Sequence, residues 1–266
     1  MEPDSDLGTQ VLGPPRSAPV EPPAAPVEQP QPVREGPSKA FVDELMARPE
    51  QPTAKLTAEQ RVLHDRVVAI ARSRTAIERR QPGFDRARSK DPGYREQYIL
   101  ALDKHWQANQ NALDAIAREV AARAGGTPGW RTRRKNMVRA MAKVDDVYGG
   151  DASRLTDLAA AKVQFTVAAD MYRGLAALLE VSAGRARVVE FADRFVRPQR
   201  GGYRDLRVLL ELTRSDGTKH IAEFGLHLAA MDRAAEELAE LRRAATAREP
   251  VEEERGAVRN ALDPEA

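Results

Sequence analysis

Residues 200–228 read RGGYRDLRVLLELTRSDGTKHIAEFGLHL, two apolar runs on either side of a short polar stretch. Short runs of this kind bounded by turn residues are strands, so 205–214 and 219–226 are predicted as strands. Ser215, Asp216 and Gly217 join them as a tight hairpin. The same texture continues upstream at 186–193 and 158–167, with a helix over 169–179 between those two runs. Downstream, 229–248 is an amphipathic helix rich in Ala, Leu, Glu and Arg. The order is helix, strand, helix, three strands, helix. It describes an α+β domain with a mixed sheet of about four or five strands packed on helices.

Further toward the N-terminus the pattern is helical. Thr57 is a cap with Gln60 as its box partner, and Leu63, Val67, Ile70 and Ile77 follow at helical spacing until Gln81, Pro82 and Gly83 stop the run. A long helix is predicted from about Tyr94 to Arg123, punctuated by Gly125, Gly126 and Pro128. A shorter basic helix is predicted from Trp130 to Val147, closed by Gly149 and Gly150. One domain is expected over 39–248, helical over 39–147 and mixed over 148–248. Residues 1–38 hold ten of the 18 prolines and no aromatic residue, which predicts a disordered Pro-rich leader that cannot offset its chain entropy. The stretch 249–266, with Glu252, Glu253 and Glu254, is expected to be a solvated charged tail.

Composition excludes several classes. The formal net charge of +2 gives no whole-molecule field, so any argument for a polyanionic partner rests on local clusters. No cysteine is present, which removes disulfides, thiolate catalysis and sulfur-ligated metals, and any metal here must sit on oxygen or imidazole. The N-terminus is acidic where a signal peptide is basic, and no eighteen apolar residues run together, so the expectation is a cytoplasmic protein with neither export signal nor membrane span.

Three local features bear chemistry. Between Glu119 and Asp145 stand Arg123, Arg131, Arg133, Arg134, Lys135, Arg139 and Lys143 without an acidic residue. Arg131, Lys135, Arg139 and Lys143 recur every four residues, which on a helix makes one basic ridge, read either as a solvated face or as a phosphate or RNA site. Asp157 precedes the run LAAAKVQF and Glu223 lies inside HIAEFGL. Carboxylates at strand positions are costly unless paired or metal-bound, and such oxygen ligands suit Mg²⁺; the plainer alternative is a salt bridge to Lys162 or an outward charge. Tyr203 stands at a strand entrance among Arg197, Arg200, Arg204 and Arg207, either a stacking platform for a base or a core aromatic.

Taken in order, these segments resemble the synthetase domain of RelA/SpoT alarmone enzymes over residues 131–232. RTRRKNMVRAMAK is similar to the family's basic helix, with Arg133, Lys135, Arg139 and Lys143 at its polar positions. TDLAAAKVQF resembles its Asp-led strand, RGGYRDLRVLLEL its N-G-Y-R-S-L-H segment, and EFGLHLAAMD its E-V-Q-I-R-T-x-x-M strand. The resemblance implies a nucleotidyltransferase-like fold and a pyrophosphokinase that moves the β,γ-pyrophosphate of ATP to the 3′-hydroxyl of a purine nucleotide, giving (p)ppGpp or (p)ppApp. It implies ATP binding by Arg133, Lys135, Arg139 and Lys143, and Mg²⁺ on Asp157 and Glu223. Glu223 would also help deprotonate the acceptor, which Tyr203, Arg204, Arg207 and His227 would bind.

This sequence departs from the pattern at Arg139, where Ser is usual, and at Arg207 for His, Gly225 for Gln, His227 for Arg and Leu228 for Thr. The alternatives are pyrophosphorylation of a tRNA 3′ end, or an inactive RNA-binding regulator of the same fold. Members lacking the hydrolase domain include small regulators and toxins, so an effector with an antitoxin, immunity or delivery partner, acting in a target cell's cytoplasm, is among the expectations. His64 and Asp65 are adjacent as in the family's hydrolase signature, but they fall on an amphipathic helix in too short a region and are read as coincidence.

Overall fold

The computed structural model describes residues 55–199, 202–241 and 243–244. The predicted leader at 1–38 and tail at 249–266 lie outside the described residues, as do the domain's first residues to 54. In chain order the elements are α1 (Ala58–Arg72), α2 (Pro92–Asp103), α3 (Trp106–Ala124), β1 (Thr127–Trp130), α4 (Met137–Asp146), β2 (Ala160–Phe165), α5 (Ala168–Ser182), β3 (Ala186–Asp193), β4 (Asp205–Thr213) and β5 (Lys219–Leu228). A last helix, α6, starts at residue 229.

The five strands form one mixed sheet in the order β1-β2-β5-β4-β3. β2 and β5 are parallel, and the other three pairings are antiparallel. The expected α+β class and strand count hold. The hairpin closes as predicted, with Arg214 N–H donating to Thr218 O at 2.9 Å and Gly217 at φ 77°.

Alternation along the strands gives the sheet two unlike faces. On one, Val163 and Phe165 of β2, Leu206, Val208 and Leu210 of β4, and Phe224 and Leu226 of β5 pack beneath α3 and α5 in the main core. Each such fully buried side chain stabilises by roughly 1.5–3 kcal/mol. The other face carries Lys162, Gln164, Arg207, Glu223 and His227, and is where any polar chemistry must sit. A second, smaller core joins Ile99 of α2, Ala140 and Val144 of α4, and Leu155 and Leu158 before β2.

Three sequence expectations are corrected. The predicted helix over Tyr94–Arg123 is two helices broken at Lys104 and His105, because α2 serves the smaller core through Ile99 while α3 serves the main one through Leu113 and Ile116. The first helix keeps its Thr57–Gln60 capping box but ends at Arg72, leaving Ile77 exposed beyond it. The basic helix begins at Met137, not Trp130: residues 127–130 are edge strand β1, a position where Pro128 leaves no ladder hydrogen bond unmet. The four-residue ridge therefore does not exist as one helix face. Only Arg139 and Lys143 lie on α4, whereas Arg131 and Lys135 belong to the non-helical link before it.

Candidate active site

The link and α4 nevertheless bring two of the lysines together. Asn136 caps α4 by accepting from Arg139 N–H at 3.1 Å, which folds Lys135 back alongside Lys143. Both ammonium groups donate to Asp157 Oδ2, Lys143 at 3.0 Å and Lys135 in a close contact. The second carboxylate oxygen, Asp157 Oδ1, is buried without a hydrogen-bond partner among the described residues. Burial alone would raise the Asp157 pKa, but the two lysines outweigh it and hold the carboxyl below its ordinary value. Lys135 is pushed down, chiefly by burial, whereas Lys143 is raised because Asp157 outweighs its desolvation. Arg131 lies close by, its backbone N–H donating to Ala160 O at 3.2 Å.

Asp157 is fixed from behind by α3. Trp106 Nε1 donates to Leu158 O at 3.1 Å, and the Gln110 carboxamide both donates to Ala160 O at 3.0 Å and accepts from Ala160 N–H at 3.1 Å. Ala160 is in register with Glu223 of β5, and Glu223 N–H donates to Ala159 O at 3.2 Å. The parallel pairing thus brings the strand that follows Asp157 alongside Glu223, with Asp157 itself three residues before β2. Glu223 is partly exposed and, among the described residues, its ion pair is with the Arg207 guanidinium, at 3.5 Å.

Arg207 also holds Glu190 closely. A bulge between Val188 and Glu190 turns Val189 against Leu209 and Ile221 while placing Glu190 opposite Leu209, within reach of Arg207. Arg207 is therefore a buttress beside Glu223 and stands apart from the Tyr203 cluster with which the sequence groups it. A cavity of about 320 Å³ opens here, walled by Arg79, Arg80, Arg154 and Arg207 with Tyr148 and Thr156. Glu190 shares this wall, and Arg80 and Arg207 are paired with Asp151 and Glu190.

At the other end of β5, Tyr203 O–H donates to Asp232 Oδ1 at 3.1 Å and lies 3.1 Å from His227 Nδ1. His227 Nδ1 is itself 2.7 Å from Asp232 Oδ1, and Lys162 Nζ donates to Asp232 Oδ2 at 2.6 Å. Burial disfavours the Asp232 charge, yet Lys162, His227 and Gln164 hold its carboxyl well below the usual range. Lys162 thus pairs with Asp232 and not with Asp157. His227 fits because residue 225 is glycine: a Cβ there would lie 2.2 Å from His227 Nε2. Asp205, raised by burial, is salt-bridged to Arg194 at 2.8 Å.

Arg133 and Arg139 are exposed, and Arg204 lies in the connection into β4. His64 is structural, its Nδ1 lying 2.9 Å from Asp193, which also accepts from Tyr172 O–H. Asp232 and Gln110 were not singled out by sequence, and Gln81 was read only as part of a helix stop. A buried glutamine and a helical aspartate carry no spacing signal, and only the fold reveals them.

Among the described residues no group of three or more acidic, histidine or cysteine side chains gathers to form a metal cage. Asp157 Oδ1, without a hydrogen-bond partner among the described residues, is an oxygen of the kind Mg²⁺ takes, an ion that uses one or two carboxylates plus substrate phosphates.

No protein-family model matches the chain, and no curated protein matches it significantly. Among solved structures it is similar to small alarmone synthetase 1 from Bacillus subtilis bound to its product pppGpp, at 15% identity and TM-score 0.43, covering 63% of this chain and 98% of that one. It is also similar to a GTP pyrophosphokinase family protein from Streptococcus pneumoniae, at 18% identity and TM-score 0.43, covering 62% and 94%. A third likeness is to the complex between the Type VI effector Tas1 and its immunity protein, at 22% identity and TM-score 0.38, covering 56% and 75%.

Proposed function

We propose that the chain is an ATP-dependent pyrophosphokinase acting on the 3′-hydroxyl of a purine nucleotide. The observation that carries this reading is the convergence of Lys135 and Lys143 on Asp157, just ahead of the strand that pairs with β5 at Glu223. In this reading Lys135, Lys143 and Arg131 receive the ATP phosphates, and the exposed Arg133 and Arg139 flank the adenosine side. Asp157 and Glu223 would hold Mg²⁺, which when bound would supply charge neutralisation at the phosphates. The Glu223 carboxylate takes the proton of the acceptor hydroxyl. That oxygen bonds to the β-phosphorus as the bond from the β-phosphorus to the α,β-bridging oxygen breaks, and AMP departs with the bridging oxygen. A transfer of this kind needs positioning and charge stabilisation more than covalent help, and cations plus an aligned carboxylate provide both. Tyr203, His227 and Lys162 form the acceptor end.

The test incubates the full chain with Mg²⁺, γ-labelled ATP and, in turn, GDP, GTP, ADP, AMP and deacylated tRNA. Label is expected to move to a purine nucleotide with release of AMP. Asp157→Asn and Glu223→Gln each lower the rate at least about a hundredfold, the scale of losing one charge stabiliser in a closed site. Label moving only to tRNA replaces the acceptor assignment, and label moving nowhere ends the enzyme reading. Expression in bacteria is expected to arrest growth, and Glu223→Gln to relieve the arrest.

A further inference from the structure

Arg133, Arg134 and Lys135 follow one another in the link between β1 and α4, and Arg134 reaches the joint of α2 and α3. Its Nη1 donates to Asp103 Oδ2 at 3.0 Å, and its guanidinium carbon lies 5.9 Å from the centre of the Trp106 ring. Asp103 is the last residue of α2 and 8% exposed, and Trp106 is the first of α3 and 6% exposed. A buried carboxylate is costly unless paired, and among the described residues Arg134 is the ion-pair partner of Asp103.

The link has little else to hold it. Arg131 N–H bonds to Ala160 O at one end and Asn136 caps α4 at the other. Between them, residues 132–135 make no backbone–backbone hydrogen bond among the described residues, and it is from this stretch that Lys135 reaches Asp157. Trp106 touches both sides of that ion pair. Its ring faces the guanidinium of Arg134, the residue before Lys135, and its Nε1 donates at 3.1 Å to the carbonyl of Leu158, the residue after Asp157. The contact of Lys135 with Asp157 is thus flanked by two neighbours seated on one buried side chain. The Arg134 side chain is 57% exposed, so its ion pair adds little stability; what it fixes is place. Place matters here, because a shift of about 1 Å at a reacting site costs up to about a hundredfold in rate.

We propose, resting on the pyrophosphokinase reading, that Arg134 is a positioning residue: seated between Asp103 and Trp106, it holds the link so that the Lys135 ammonium stays at Asp157, where the donor phosphates are received.

Steady-state kinetics of the full chain and acylation of its lysines test this. Arg134→Gln is expected to lower kcat about tenfold with the acceptor KM unchanged, and to lower it no further in a Lys135→Gln background. A merely structural role would cost the same in both backgrounds. If the single variant misfolds because Asp103 is left unpaired, the double variant Asp103→Asn, Arg134→Gln strands neither charge and is read in its place. An amine-acylating reagent followed by mass spectrometry is expected to modify Lys135 several-fold faster in the variant, with the exposed Lys90 unchanged. The proposal is overturned if kcat does not fall, if the loss is as large in the Lys135→Gln background, or if Lys135 is acylated no faster. A parent chain that transfers no pyrophosphate ends the functional reading instead, and the acylation rate alone then decides whether Arg134 holds Lys135 in place.

Discussion

Removing the carboxamide of Gln81 tests how the polar face is held in place. Pairing of β2 with β5 starts at Ala160 and Glu223, so Ile221, two residues earlier on β5, has no strand beside it on that edge. Gln81 stands in for the missing strand: its Oε1 accepts from Ile221 N–H at 2.9 Å, and its Nε2 donates to Ile221 O at 2.7 Å and to Leu155 O at 3.1 Å. The side chain is 2% exposed, so water does not replace those bonds. Gln81→Leu keeps the volume and strips partners from three buried backbone groups. At about 1–3 kcal/mol for each unsatisfied group, the loss is about 3 kcal/mol or more. That is a large part of the roughly 5–15 kcal/mol that holds a domain together, and for a chain of this size it lowers Tm by about 6–12 °C. Urea unfolding followed by circular dichroism measures it, with Gln107→Leu, an exposed glutamine bonded to Asn111, as the control that changes little. Because Glu223 is two residues along on the same face, pyrophosphate transfer should fall further than the unfolded fraction accounts for. A Gln81→Leu loss below about 1 kcal/mol would refute the reasoning.

Three other outcomes follow from the structure. His220 has a folded pKa of about 4 against 6.5 for the free side chain, so the unfolded chain protonates first; its contribution is whole above about pH 6.5 and is lost as pH falls toward 4. The gap is worth about 3 kcal/mol, and His220→Phe should flatten that part of a stability-against-pH curve. Gly225→Ala drives a Cβ to 2.2 Å from His227 Nε2 and is expected to cost about 1–3 kcal/mol, most of it recovered in the Gly225→Ala, His227→Ala double variant measured by the same urea titration. Asp232→Asn removes the counter-charge of Lys162 and the anchor of His227 and Tyr203; steady-state kinetics should show the acceptor KM rising several-fold with the ATP KM unchanged.

The sheet was legible because its strands obey local rules. β3 falls at 186–193 as predicted, and β4 and β5 match within two residues, since apolar runs and a Ser-Asp-Gly turn encode them directly. β1 was not legible: Gly125, Gly126 and Pro128 read as the end of one helix and Trp130 as the start of the next, and only the vacant edge of β2 makes 127–130 a strand. The basic segment shows the same division. Its charges were plain, but their spacing by four suggested one helical ridge, whereas Asn136 starts the helix late and the two lysines meet at Asp157 from different elements. Asp157 and Glu223 could be named because strand patterns rarely hold carboxylates; that the strand after Asp157 runs beside Glu223 is a matter of parallel register, which no local pattern carries.

The acceptor end gains most from geometry. Gly225 and His227 stand where the resembled family has Gln and Arg, and as sequence these are two unrelated losses. In space they are one change: the imidazole occupies the volume that any side chain at 225 would claim. The result is a closed network, in which Asp232 is shared by His227, Tyr203, Lys162 and Gln164 and held well below the usual carboxylate range despite its burial. A corner decaying after loss of function would shed such partners first, because a half-satisfied buried carboxylate is costlier than an apolar replacement. Under the proposed function, full satisfaction here fits an acceptor site refitted around a shorter base than arginine. The choice of acceptor is therefore where this chain should differ most from the enzymes its sequence resembles.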